Sequence, residues 1–118
     1  MDDLYRGPAS GGDRLKAGLA LQMVAVATGV PVEQMNGGVR RGGQACRARW
    51  LAMYLAHVAF GWPIERVGLA FGLNRATASQ ACRWAEGERD RPWLDDLLNR
   101  LERLVRELLD APRCELPV

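Results

Sequence analysis

Apolar residues recur along this chain at three- and four-residue steps, and no strand-like alternation persists. Val, Ile and Thr are sparse, while Ala, Leu and Arg dominate. The pattern predicts an all-α fold, a single compact domain of about six helices. A first helix is expected behind Asp13 as N-cap, running to about Thr28 and stopped by Gly29, with Leu15, Leu19, Met23 and Val26 at helical spacing. A short helix follows at 31–35, with Pro31 at the position where a missing N–H costs nothing. The third is expected over 44–60, ending at Gly61. Pro63 opens a fourth that ends at Phe71-Gly72, and a fifth covers 75–86. After a charged turn at 87–91, Pro92 opens a last helix to about 110. Residues 1–12, with Pro8 and Ser10-Gly11-Gly12, form an expected disordered head. Residues 111–118, with two prolines and no periodicity, form an expected flexible tail, which leaves 13–110 as the domain.

The last helix carries Leu94, Leu97, Leu98, Leu101, Leu104, Val105, Leu108 and Leu109 on one stripe. Such a stripe fits packing onto the protein's own core or a seam between two chains. Barely two heptads is short for a coiled coil, so packing onto the core, in a monomer, is the expectation.

The stretch 64–83 is the most informative. Two helices crossing steeply over a short turn need a small residue where their backbones meet, and Gly68 stands there. The turn needs a residue that tolerates positive φ, and Gly72 supplies it. Inward positions must be apolar, and Val67, Phe71, Leu73, Ala78 and Ala81 are. This is the pattern of a helix-turn-helix. Its second helix would present Asn74, Arg75, Ala76, Thr77, Ser79, Gln80 and Arg83 to a major groove; none is acidic. Arg75 could donate to guanine, and Gln80 or Asn74 could pair with adenine, while Thr77 and Ser79 suit phosphate better. Either Arg75 or Gln80 could instead be plain surface. Arg47, Arg49 and Arg66 are candidate phosphate contacts, with a solvated face as the alternative. Trp84 is expected at the core or its rim.

Charge sharpens this picture. The formal sum is only +2, and 15 of the 16 basic residues are Arg. Residues 40–83, however, carry seven Arg against the single Glu65, a net +6 between mildly acidic ends. A basic middle third is the footprint of a local anion-binding face. Within it, residues 36–43 form a glycine-rich loop bearing Arg40 and Arg41. It lacks the G-K-[ST] of a phosphate loop and the strand of a dinucleotide fingerprint. Two arginines on a flexible tether suit a narrow minor groove, or they sit in water on a plain connector.

Several classes are set aside. Cys46, Cys82 and Cys114 are odd in number with no C-x-x-C pair, which fits neither a disulfide framework nor a zinc set; two buried thiols and one in the tail are expected. His57 is the only His, placed mid-helix, so no catalytic set is expected, no enzyme activity, and no metal or cofactor. No apolar run reaches the ~18 residues of a membrane span, and the acidic start is unlike a signal peptide. The expected location is the cytoplasm, at the nucleoid.

The blocks Cys46-Arg47-Ala48-Arg49-Trp50-Leu51-Ala52-Met53-Tyr54-Leu55-Ala56, Val67-Gly68-Leu69-Ala70-Phe71-Gly72 and Ala81-Cys82-Arg83 resemble the C-terminal DNA-binding domain of the bacterial replication initiator DnaA. The resemblance spans about residues 15–106 and is nearest to stand-alone versions of that domain. It implies a DnaA domain IV-like (TrpR-like) helical fold that binds short asymmetric boxes in double-stranded DNA as a monomer. It also implies that Arg41 enters the minor groove and that Arg49 touches the backbone. The family signature G-R-D-H-T-T-V is altered to Gly72-Leu73-Asn74-Arg75-Ala76-Thr77-Ala78, one residue shorter. Arg75 and Thr77 stay in register with the R-D-R-T-T-V of stand-alone members. Asn74, Ala76 and Ala78 depart from it, and His57 stands where the initiator often has Lys. This sequence carries no ATPase domain, so the implied role is a DNA-binding regulator of replication initiation or transcription. It would act by occupancy, with the initiator or its regulators as possible partners. The alternative is a protein-interaction adaptor that kept the fold with little DNA affinity.

Overall fold

The first helix begins three residues before the place the sequence pattern gives it. In the computed structural model, which describes residues 10–36 and 43–118, α1 runs Gly11–Thr28. Ser10 is its N-cap, with Oγ accepting from the Asp13 N–H at 3.1 Å. Asp13 therefore sits inside the first turn, where its charge suits the positive end of the helix. The expected head is shortened accordingly: residues 11 and 12 are helical, and residues 1–9 lie outside the described residues.

The other helices follow the proline and glycine punctuation closely. They are α2 (Val32–Met35), α3 (Gly43–Ala59), α4 (Ile64–Ala70), α5 (Arg75–Glu88) and α6 (Pro92–Asp110). Among the described residues the chain is all-helical, with no strand. α5 extends two residues past its expected end, through Gly87, so the charged turn shrinks to 89–91. Residues 112–118 are exposed and carry no regular structure.

α3 is the axis of the globule: α1, α2, α4, α5 and α6 all pack on it. That centrality follows from its composition, because Leu51 to Ala56 is an unbroken buried run. Around it the interior divides into two clusters. The larger joins α1, α3 and α6 through Val24, Leu55, Leu98 and Val105, with Ala85 of α5. The smaller lies under α4 and α5 and comprises Met53, Ala56, Trp62, Val67, Ala78 and Ala81. Among the described residues every fully buried one is apolar or Tyr54, whose hydroxyl donates to Glu86 Oε2 at 2.6 Å. Burial and that carboxylate hold the Tyr54 pKa above its ordinary value. The cysteines are all free. Cys82 is buried, which pushes its thiol up to about 11, while Cys46 is half-buried and Cys114 exposed.

Two arginines staple neighbouring helices through carboxylates. Arg89 lies over the Tyr54 ring and reaches α6, bonding Glu102 Oε2 at 2.6 Å and Asn99 Oδ1 at 2.9 Å. Asp95 lies 3.0 Å from its Nε. The second staple joins α1 to α4: Arg66 donates to both Asp13 oxygens, at 2.8 and 2.9 Å. That hydrogen bonding holds the Asp13 carboxyl below its ordinary 3.8, against an opposing push from burial. A depressed folded-state pKa stabilises the fold above the unfolded value, and the gain disappears as pH falls through the folded value. Asp13→Asn should therefore melt lower than the parent at neutral pH, and the gap should close as the solution is taken below pH 3.8. Thermal melts of both proteins across that range are the check, and a gap that stays constant with pH would remove the staple's ionic role.

Candidate nucleic-acid interface

α4 and α5 enclose a four-residue connection, 71–74. Gly72 adopts φ 72°, the left-handed conformation such a turn requires. Its N–H donates to Leu69 O at 3.1 Å, and the Leu73 N–H donates to Gly68 O at 2.8 Å. Gly68 is where the two backbones meet: a Cβ there would stand 2.9 Å from the Leu73 carbonyl oxygen and 3.1 Å from that of Asn74. Leu73 packs into the smaller cluster, fixing the turn to the body.

Asn74 is the N-cap of α5, its Oδ1 accepting from the Thr77 N–H at 2.8 Å. By its place in the sequence, Asn74 is one of two candidates, with Gln80, for pairing with adenine. Its oxygen is spent on the cap, and only the amide nitrogen is left to face outward. Beyond it, Arg75, Ala76, Gln80 and Arg83 are exposed, while Thr77 and Ser79 are half-buried on the flanks. Ala78, Ala81, Cys82 and Ala85 form the buried face of the same helix. The first turn of α5 holds no acidic residue, so the positive end of its dipole and Arg75 act in the same direction. The nearest acid is Glu65 of α4, 3.9 Å from Arg75 Nε, with both side chains largely in water. An exposed pair at that distance is worth little and yields readily to a stronger anion.

α3 contributes a second edge. Trp50 and Trp84 meet edge-on with ring centroids 5.8 Å apart, which sets the first half of α3 against the second half of α5. Those halves carry Arg47 and Arg83. Arg47 is exposed, and its guanidinium folds over Gly43, close enough that a Cβ there would be 3.1 Å from Arg47 Cζ. A cation at a helix N-terminus is held against the dipole, an arrangement that an incoming anion relieves.

Two of the expected phosphate contacts also bond within the protein. Arg49 is half-buried, its Nη1 donating to Met35 O at 3.3 Å, so it ties α2 to α3. Arg66 is held by Asp13 and lies over the Trp62 ring at 4.9 Å, so it supports the helix pair while its side chain stays 43% exposed. Arg40 and Arg41 lie outside the described residues. His57 Nδ1 is 2.6 Å from Trp62 O. A carbonyl only accepts, so this nitrogen carries the proton and the side chain fastens the loop between α3 and α4. Among the described residues no group of three or more His, Cys, Asp or Glu could hold a metal, and no helix is long and apolar enough to cross a membrane.

Comparison with protein-family models, with curated proteins and with solved structures finds no match to this chain.

Proposed function

We propose that this chain is a sequence-specific double-stranded DNA-binding regulator of replication initiation or transcription, acting by occupying its site and without ATPase activity of its own. The reading takes the domain as similar to the DNA-binding domain of DnaA, with the nucleoid as its location. The single observation that carries it is the outer face of α5. An acid-free helix N-terminus with Arg75, Gln80 and Arg83 exposed stands on a turn built around Gly68 and Gly72. In this reading Arg75, Gln80 and Arg83 face base edges, Asn74 caps the reading helix, and Thr77 and Ser79 at its flanks touch the sugar-phosphate rim. Arg47 holds a phosphate at the start of α3, and Arg40 and Arg41 extend the contact into the minor groove.

The test is fluorescence anisotropy on a selected duplex and a random one, each at two salt concentrations. Arg75→Ala is expected to cost about 1–3 kcal/mol on the selected duplex and little on the random one. Arg47→Ala should weaken both alike and reduce the salt slope by about 1. Equal loss on both duplexes for Arg75→Ala removes its assigned role. A second reading, an adaptor that binds protein instead, is favoured by the exposed leucines of α6. It requires that no duplex binds even at low salt.

A further inference from the structure

α6 carries two heptad seams that share residues. The first, Leu94, Leu98, Leu101 and Val105, is buried on the protein's own core. The second, Leu97, Leu101, Leu104 and Leu108, repeats the same three- and four-residue steps one strip further round the helix. Its outer end is bare: Leu104 is 55% and Leu108 57% exposed. Beside them Met23, Val26 and Ala27 of α1 complete an apolar groove against Leu101 and Leu104, with Val26 86% exposed. Contiguous apolar surface of this kind marks an interaction site.

We propose that a second copy of this chain fills the groove, its α6 lying antiparallel along the first to form a symmetric dimer. The charges beside the seam select that partner and direction. Arg100 and Glu107 occupy the same flanking heptad position one repeat apart. In an antiparallel pair they face each other across the axis twice, Arg100 of each copy against Glu107 of the other. The leucine register agrees, because the same axis sets Leu101 opposite Leu104 and Leu97 opposite Leu108. A parallel in-register pair would instead place Arg100 beside Val105, which is fully buried in its own core, and leave Glu107 with no partner. Self-complementarity about a two-fold axis is what an isologous dimer demands. This proposal departs from the monomer expected from the sequence, and it stands whether or not the chain binds DNA.

Analytical ultracentrifugation of the full chain across a concentration series tests this, with circular dichroism as the check on folding. The expected mass rises from 13.0 kDa to twice that value. Leu104→Glu, at an exposed position, should keep the helical spectrum and weaken association about a hundredfold or more. Glu107→Arg should also dissociate the pair by setting like charges together, and adding Arg100→Glu should restore it. A chain that stays at 13.0 kDa at every concentration overturns the proposal and assigns the groove to another segment or protein. A dimer indifferent to Leu104→Glu, or one the charge exchange fails to restore, overturns it as well.

Discussion

Trp62→Ala is expected to lower the stability of the fold by about 3–5 kcal/mol, a large share of the roughly 5–15 kcal/mol that a domain of this kind has. Trp62 is 2% exposed and is the largest side chain in the smaller cluster. It shares that cluster with residues of three helices: Met53 and Ala56 of α3, Val67 of α4, and Ala78 and Ala81 of α5. Three of those five cluster members are alanines, whose side chains cannot swing in to fill the space, so the cavity persists. The tilted ring contact with Phe60, centroids 4.9 Å apart, and the Arg66 guanidinium above the ring disappear with it. Urea denaturation should show the lowered midpoint with an unchanged slope. Trp62→Phe, which refills part of the volume, should recover more than half of the loss. A fall below about 1 kcal/mol for the alanine variant would mean that the cluster closes over the gap.

The sequence made most helix boundaries readable because they are marked locally, the start of α1 and the end of α5 excepted. Gly29, Gly61 and Gly72 all adopt positive φ, and Pro63 and Pro92 stand at the starts of α4 and α6. What it hid were pairings across the chain. Asp13 and Arg66 are 53 residues apart, and nothing in either neighbourhood announces the other. Local spacing alone therefore makes Asp13 a cap, a place that Ser10 takes instead. Ser10 was masked by the two glycines after it, which pointed to disorder although its hydroxyl is placed to cap. The partner of Arg49 is hidden in the same way as that of Arg66, since it is the Met35 carbonyl of a different helix. Arg89, read only as part of a charged turn, ties α5 to α6 because it meets Glu102, Asp95 and Asn99 at once. The α6 stripe shows a different kind of limit. Spacing reveals that leucines share a face but not which strip of a wide face the core covers, and here the core takes Leu98 and Val105 while leaving Leu104 and Leu108 outside.

Gly68→Val is expected to cost about 3 kcal/mol and, unlike the tryptophan change, to act on the angle between α4 and α5. Two effects compete when a side chain is added to a helical glycine. Backbone entropy favours the larger residue by up to about 1 kcal/mol for Ala. Against it, the Cβ would stand 2.9 Å from the Leu73 carbonyl oxygen and 3.1 Å from the Asn74 oxygen and 3.2 Å from its carbon. These are backbone atoms and cannot rotate away. The Asn74 oxygen accepts the Ala78 N–H of α5 at 3.1 Å, and the Leu73 N–H is bound to Gly68 itself, so relief requires moving the start of α5 as a unit. The steric term therefore wins, by about 2 kcal/mol for Ala and more for Val, whose extra methyls enlarge the clash. Because Asn74, Arg75 and Gln80 ride on that displaced helix, duplex affinity should fall further than the lost stability explains. The check is anisotropy at a temperature where the variant is still folded. Gly87→Ala is the control: it sits on the same helix as Gln80, and a Cβ there meets nothing within 4 Å, so it should leave affinity near the parent's and stability at the parent's level or up to about 1 kcal/mol above it. Equal behaviour of the two variants would show that the Gly68 contact does not set the angle between the helices.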